Sequence, residues 1–325
     1  MKTTELYPLQ FVPQYDYRLW GGNNFTTLFK RSVPGEQLGE SWEISGLKNK
    51  PSMVSNGRLA GQSLVALIEQ FPEALLGEDV LARFGAQFPL LIKFIDAKKP
   101  LSVQVHPNDE LAQERHQCFG KNEMWYVVDA APKAEITLGF KHPLSKAEFQ
   151  KKQTQGTIEE ALLCQKVQKG DAIHVPAGLL HAIGGGILLA EIQQASDITY
   201  RVHDYDRIDT KTGQKRTLHN ELALDAIDFS LPQQKLLSFD QTPNVSNPLI
   251  ACSYFTTDLI VLEKQYSLDL RNRNAFTVLI CVEGAATLNV KEVFLEVPLG
   301  EVVLIPAELD TVSITGTGRL LSVTI

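Results

Sequence analysis

The chain has 325 residues, of which 44% are hydrophobic and 21% charged, with a formal net charge of −7. That balance is typical of a soluble globular protein, and an acidic chain without a basic tract is a poor candidate for nucleic-acid binding. A small phosphorylated ligand stays open, because it needs only a local cluster of lysine and arginine. No apolar run reaches the roughly 18 residues of a membrane helix, and Met1–Gln10 lacks the charged-then-apolar layout of a secretory leader. The four cysteines, Cys118, Cys164, Cys252 and Cys281, form no CxxC pair. They read as reduced, mostly buried thiols of a cytoplasmic protein.

In chain order, Met1 to about Ala60 reads as loop-rich with short extended pieces, carrying Trp20-Gly21-Gly22 and Gly39-Glu40-Ser41-Trp42-Glu43-Ile44. Apolar Leu64, Leu67, Ile68, Leu75 and Leu76 predict helix from about Ser63 to Phe84, interrupted at Pro72. Phe88 to Asp96 predicts a largely buried strand. Ser102 to His106 alternates polar and apolar, so Ser102, Gln104 and His106 share one strand face. Pro107 biases His106 towards extended backbone and ends the strand, and Asn108-Asp109-Glu110 opens a short helix to about Gln117. Met124–Val128 and Ala134–Phe140 predict consecutive strands. Ser145 to about Leu163 predicts an inserted helical pair, opened by a capping box at Ser145 and Glu148. From Lys166 onward, short strands between turn residues suggest a barrel or sandwich.

A repeat organises this pattern. Gly170-Asp171-Ala-Ile-His-Val-Pro176-Ala177 has a near copy at Gly300-Glu301-Val-Val-Leu-Ile-Pro306-Ala307, and a similar strand pair precedes each. The unit, an apolar strand, an acidic turn, a second strand and then G-[DE]-x-x-x-[VI]-P-A, resembles the cupin family, built from a small antiparallel jelly-roll barrel. The resemblance implies a mainly β chain of two jelly-roll barrels with short helical insertions. An N-terminal catalytic barrel would span 1–240, with helical inserts at about 61–84 and 143–165, and a degenerate barrel would span 241–325. Counted from the prolines, His181 falls opposite Thr311; aligned by the strand pairs, Glu123 falls opposite Thr277. The second copy lacks metal-type side chains, which leaves one active barrel and one structural barrel.

The metal candidates are His106, Glu123, His181 and Gln104. Two imidazoles and a carboxylate are a common shell for a divalent cation, with a neutral amide oxygen as a possible fourth ligand. The donor set suits one zinc ion per chain, and iron or manganese fits the same ligand types. A lone strand histidine before proline is more often structural, and Glu123 alone could be a surface charge; the three together, each at a cupin-appropriate point, reverse that weighting. His174 shares a strand face with Pro176 and is a lesser candidate for lining the site. His116, His142, His203 and His219 read as surface or hydrogen-bonded histidines.

After the buried run Ile187–Ala190, Glu191, Gln193 and Ala195 share a strand face, continued by Asp197, Thr199 and Arg201. So dense a polar row needs water or a ligand to satisfy it, a solvent-facing edge strand being the plain explanation. The stretches Trp20-Gly-Gly22, Gly39-Glu-Ser-Trp-Glu43, Pro100-Leu-Ser-Val-Gln-Val-His-Pro107, Lys121-Asn-Glu-Met124, Pro176-Ala-Gly-Leu-Leu-His181 and Glu191 through Arg201 resemble, in order, those of type I mannose-6-phosphate isomerases, especially the short bacterial form. The resemblance implies zinc on Gln104, His106, Glu123 and His181, a catalytic Arg201, and interconversion of mannose 6-phosphate and fructose 6-phosphate through an enediol. Guanidinium stays protonated, so Arg201 is assigned to oxyanion or phosphate contact. Glu191 is the preferred base, Lys121 a proton-transfer or phosphate-binding partner, and Ser102 a phosphate contact. The implied partner is a small sugar phosphate, with no nucleic acid or membrane, and the chain a monomer or weak homodimer. Two other readings stand beside it: a metal-dependent cupin dioxygenase, and a non-catalytic sugar-binding cupin.

Overall fold

The computed structural model describes residues 6–291 and 293–325, so the expectation of no leader falls partly on residues outside it. The chain is mainly β, as expected. It divides into two compact units, each discontinuous in sequence: residues 15–41 with 93–237, and residues up to 14 with 42–92 and 238–325. Among the described residues, no helix is long and apolar enough to cross a membrane.

The unit of 15–41 and 93–237 is built on two sheets. One runs Tyr200–His203, Val103–Val105, His181–Ile183, Glu135–Phe140, Leu162–Lys166; the other runs Gln14–Gly22, Leu38–Ser45, Leu90–Ala97, Ile187–Gln194, Glu123–Ala130, Ala172–Val175. Because side chains alternate along a strand, Ile136, Leu138 and Ile183 from the first sheet meet Ile95, Trp125, Val127, Ile173, Val175 and Leu189 from the second in one buried cluster. Val103, Val105, Tyr200 and Val202 form a second cluster with Phe149, Ile158 and Ala223 from helical segments. The two expected consecutive strands thus belong to different sheets, joined across the 131–134 turn.

Several local expectations hold. Asn108 caps the helix Asp109–His116, its Oδ1 accepting from Leu111 N at 3.0 Å. Ser145 and Glu148 form the capping box of Lys146–Thr154. Others are corrected. The expected helical pair is one helix and a short 3-10 turn, Ile158–Ala161, after which Leu162 already pairs in a sheet. The N-terminal stretch is less loop-like than its composition suggests, since Gln14–Gly22 and Leu38–Ser45 are strands of nine and eight residues. Gly21 allows their close approach: a Cβ there would lie 2.4 Å from Gln37 O. The polar row from Glu191 to Arg201 is not one strand. The chain leaves the second sheet after Gln194 and enters the first at Tyr200. Of the cysteines only Cys281 is buried, Cys164 is exposed and the others are intermediate, so "mostly buried" does not hold; all four are free.

In the other unit, the expected helix is three: Leu64–Gln70, Pro72–Leu76 and Glu78–Phe84, broken at Pro72 and again at Gly77, whose φ is +87°. A seven-stranded sheet carries three fourteen-residue strands, Thr256–Asp269, Thr277–Val290 and Thr311–Thr324. Both halves of each contribute to one core, from Ile260 and Leu268 to Leu279 and Leu288 to Val312 and Leu320. The strands therefore turn a corner, and the turn falls where Lys264, Gly284 and Gly316 have positive φ. The repeat holds at the level of register. Glu123 opens its strand paired with Val175, just before Pro176; Thr277 opens its strand paired with Ile305, just before Pro306. His181 and Thr311 each begin the next repeat strand.

Candidate metal centre and pocket

Register assembles the site. In the first sheet Arg201 pairs with Gln104 and Gln104 with His181, so three adjacent strands set these side chains in a row. In the second, Glu191 pairs with Trp125 and Gln193 with Glu123. His106 follows the strand Val103–Val105 on the face of Gln104, held by Pro107. His106, Glu123 and His181 are all buried, with one ligand-type atom from each within 4.8 Å of the others.

The tautomers of both histidines are set by the backbone. His106 Nδ1 donates to Ile198 O at 2.9 Å, and His181 Nδ1 donates to Leu179 O at 2.8 Å. Each Nε2 is then left with a lone pair aimed at Glu123, at 3.3 Å and 4.0 Å, and His106 Nε2 is buried without a hydrogen bond. Burial, with the charge of Lys121, drives His106 down to about 3, and burial lowers His181 too, so both rings are neutral. Burial alone would raise Glu123, but the Lys121 ammonium at 2.9 Å holds it well below the usual carboxylate range. Two neutral imidazole lone pairs and a carboxylate converging on one point are the donor set a divalent cation satisfies. The Gln104 amide lies 3.4 Å from His181 Nε2. A half-turn of that amide brings its oxygen to the same place, so Gln104 is within reach as a fourth ligand.

The cluster lies by a cavity of about 420 Å³ lined by Gln104, Ser102, Lys121, Glu191 and Arg201 among others. The structure thus brings the nominated metal, catalytic and substrate residues together, His174 excepted. Lys121 and Ser102 are not solvated surface groups: they are 4% and 2% exposed. The edge-strand reading of Glu191 fails likewise, since it is buried. Burial, and then the charge of Glu123, push Glu191 up to about 7. Lys121 keeps its proton despite burial, because the carboxylates of Glu123, Glu191 and Asp197 surround it and raise its pKa. Arg201 Nε donates to Ser102 Oγ at 3.3 Å and Nη1 to Thr217 O at 2.8 Å. Burial, and the nearby Arg216 and Arg207, pull Arg201 down to about 10, still charged at neutral pH.

His174 is not part of the site. Ile173 and Val175 face the core, so His174 points to the opposite side of its strand, beside Met124. His116 pairs with Tyr200 Oη at 2.7 Å and His219 Nδ1 accepts from Arg201 N at 3.0 Å, as expected of hydrogen-bonded histidines, while His203 Nε2 lies 2.9 Å from Glu159 Oε1 without hydrogen-bond geometry. Charged pocket residues beyond the site residues nominated from sequence include Arg18, Glu40, Lys93, Asp209 and Arg216. Lys93 had a signal: it is the one cation in a buried strand that is apolar apart from Asp96, and buried lysines are rare unless paired. It is 3% exposed, with Glu40 at 3.5 Å, Asp197 at 3.6 Å and Glu191 at 3.9 Å.

Fold and site together define a cupin carrying a metal-type ligand set beside a pocket of mixed charge. Residues 8–150 match the family model "Phosphomannose isomerase type I, catalytic domain", and residues 246–325 match "Mannose-6-phosphate isomerase, cupin domain". The chain is 36% identical over 317 residues to mannose-6-phosphate isomerase ManA of Bacillus subtilis, covering 97% of each chain. It is 38% identical over 250 residues to the mannose-6-phosphate isomerase of Streptococcus mutans, covering 77% of each. The crystal structure of the mannose 6-phosphate isomerase from Bacillus subtilis superposes with a TM-score of 0.89 at 31% identity, covering 98% of this chain and all of that one. The chain belongs to the type I phosphomannose isomerase family, and is an isomerase.

Proposed function

We propose that the chain interconverts mannose 6-phosphate and fructose 6-phosphate through an enediol, with one zinc ion held by His106, Glu123, His181 and Gln104. The observation that carries this is the pair of backbone-locked histidines turned on Glu123, opening on a pocket that also holds Glu191 and Arg201. A bound divalent cation there supplies Lewis-acid stabilisation of charge on the substrate oxygens. Glu191 takes the proton from C2 and returns it to C1; a carboxylate raised to about 7 is matched to that work at neutral pH. Lys121, protonated and buried, exchanges protons with the C1 and C2 oxygens or contacts the phosphate. Arg201, held by Ser102 and Thr217, gives a fixed positive charge for oxyanion or phosphate, and Ser102 offers its hydroxyl to the phosphate. Buried charge in a low-dielectric pocket acts strongly on such groups.

The division of labour goes with this reading. Catalysis belongs to the part within 1–240, and the barrel at 241–325 has a structural role, its Thr277 and Thr311 standing where Glu123 and His181 stand in the first copy. A cytoplasmic monomer or weak homodimer acting on a small sugar phosphate completes the proposal.

Chelation tests it. Removing metal from the protein abolishes conversion of mannose 6-phosphate to fructose 6-phosphate, and added Zn²⁺ restores it; full activity in the stripped protein refutes the metal assignment. Arg201→Ala lowers kcat by two or more orders of magnitude, the scale of a lost preorganised cation, while bound zinc stays near one per chain. Metal loss in that variant would move Arg201 from chemistry to structure.

A further inference from the structure

Trp125 has a place at the centre of the site that its residue type alone does not suggest. Its strand neighbour two positions back is Glu123, on the same face, and its cross-strand partner is Glu191. The indole Nε1 donates to Glu123 Oε2 at 3.1 Å and to Glu191 Oε2 at 3.1 Å. The ring is fully buried and meets His181 edge-on, with centroids 5.4 Å apart and planes at 73°. An indole carries one N–H and no acceptor, so one proton is shared between two carboxylates.

We infer that Trp125 is a positioning residue for the isomerase centre, its single N–H orienting the metal-binding carboxylate of Glu123 and the basic carboxylate of Glu191 together. The inference rests on the metal and base assignments above. Each carboxylate has one oxygen turned to a cation, Glu123 Oε1 to Lys121 at 2.9 Å and Glu191 Oε1 to Lys93 at 3.9 Å, and the other turned to the indole. The two carboxylate planes are thereby set against one rigid group packed among Ile173, Val175 and Leu189. Without the N–H, both buried Oε2 atoms lose a donor, and each carboxylate is free to swing towards its lysine. Such outer partners of metal ligands commonly contribute about 10–100-fold to metal affinity or activity.

The test removes the N–H and keeps an aromatic ring. Trp125→Phe weakens Zn²⁺ binding about tenfold, read by competition with a chromophoric chelator, and lowers kcat about tenfold or more with KM near wild type. In a Glu191→Gln background the kcat effect of Trp125→Phe shrinks, because the partner it positions is already gone, while the zinc effect persists. Wild-type zinc affinity in Trp125→Phe together with kcat within about twofold of wild type overturns the inference. If the Phe protein fails to fold, the indole ¹⁵N–¹H resonance of Trp125 decides: it moves in both Glu123→Gln and Glu191→Gln, and an unmoved signal in either overturns the shared bond. That measurement needs neither zinc nor turnover. An inactive wild type would therefore sink the proposed function while leaving the indole bond separately judged.

Discussion

Asn122, between Lys121 and Glu123, ties the reaction centre's scaffold together. Its Nδ2 and its backbone N both donate to Gln194 Oε1 at 2.9 Å, its Oδ1 accepts from Ala177 N at 3.2 Å, and its carbonyl accepts from Gln194 N at 3.2 Å. Gln194 Nε2 continues to Asp109 Oδ1 at 2.9 Å, which also accepts from Gly120 N at 2.7 Å. The side chains of Asn122 and Gln194 thus join the strand that carries Glu191, the turn before His181, and the helix start after His106. Asn122→Ala removes the two side-chain bonds and leaves the Ala177 N–H without its partner. A buried hydrogen bond contributes about 1 kcal/mol net and an orphaned group costs about 1–3 kcal/mol. The sum is a destabilisation of about 2–4 kcal/mol in urea unfolding of the metal-free protein. Because Lys121 and Glu123 flank the deleted anchor, zinc affinity falls as well. A stability loss below about 0.5 kcal/mol, the scale of an ordinary surface change, would refute the network's role.

Glu191 makes a pH prediction. As the base of the proposed mechanism it acts only when deprotonated, and burial and Glu123 raise its carboxyl to about 7. Activity therefore rises with pH through an acid limb at or below about 7, since a bound cation can only lower that pKa; the limb is read from kcat/KM and vanishes with the residual activity of Glu191→Gln. A limb well above 7 would assign the base elsewhere. At the barrel corner, Gly316 has φ +135° and a Cβ there would lie 2.4 Å from Ala285 O. Gly316→Ala costs about 1–3 kcal/mol of stability in urea unfolding without changing zinc affinity, and a neutral effect would mean the corner relaxes.

The legible part of the fold was what short-range periodicity controls. Ser102, Gln104 and His106 could be put on one face because a strand alternates, and Asn108 and Ser145 could be read as caps because they bond their own third neighbours. The unreadable part depends on which strands become neighbours. The row from Glu191 to Arg201 switches sheets where its alternation lapses at Gln194-Ala195-Ser196, with Gln193 Nε2 donating to the carbonyls of Gln194 and Ser196 at the break. Period two alone does not say which sheet the chain enters next. Lys93, Glu40 and Arg18 escaped notice for the same reason: each comes from a different strand, and only sheet order brings them to one pocket. Trp125 is core, and its N–H meets both carboxylates only because Glu191 lies across the strand from it.

The internal repeat bears on why those side chains are there at all. Glu123 and Thr277 each open a strand of the same type, paired with the residue before a Pro-Ala turn, and both are fully buried. Thr277 meets the demands of that position with a small hydroxyl that accepts from Arg273 at 3.0 Å. The jelly-roll scaffold therefore has no need of a carboxylate there. Burying one costs several kcal/mol unless it is paired, and Glu123 is paired with a lysine that must itself be buried. Two neutral histidines at the same point add no compensating charge. A position that the fold fills cheaply with threonine in one copy, and with an expensive buried carboxylate in the other, has been shaped by what binds there rather than by the stability of the barrel.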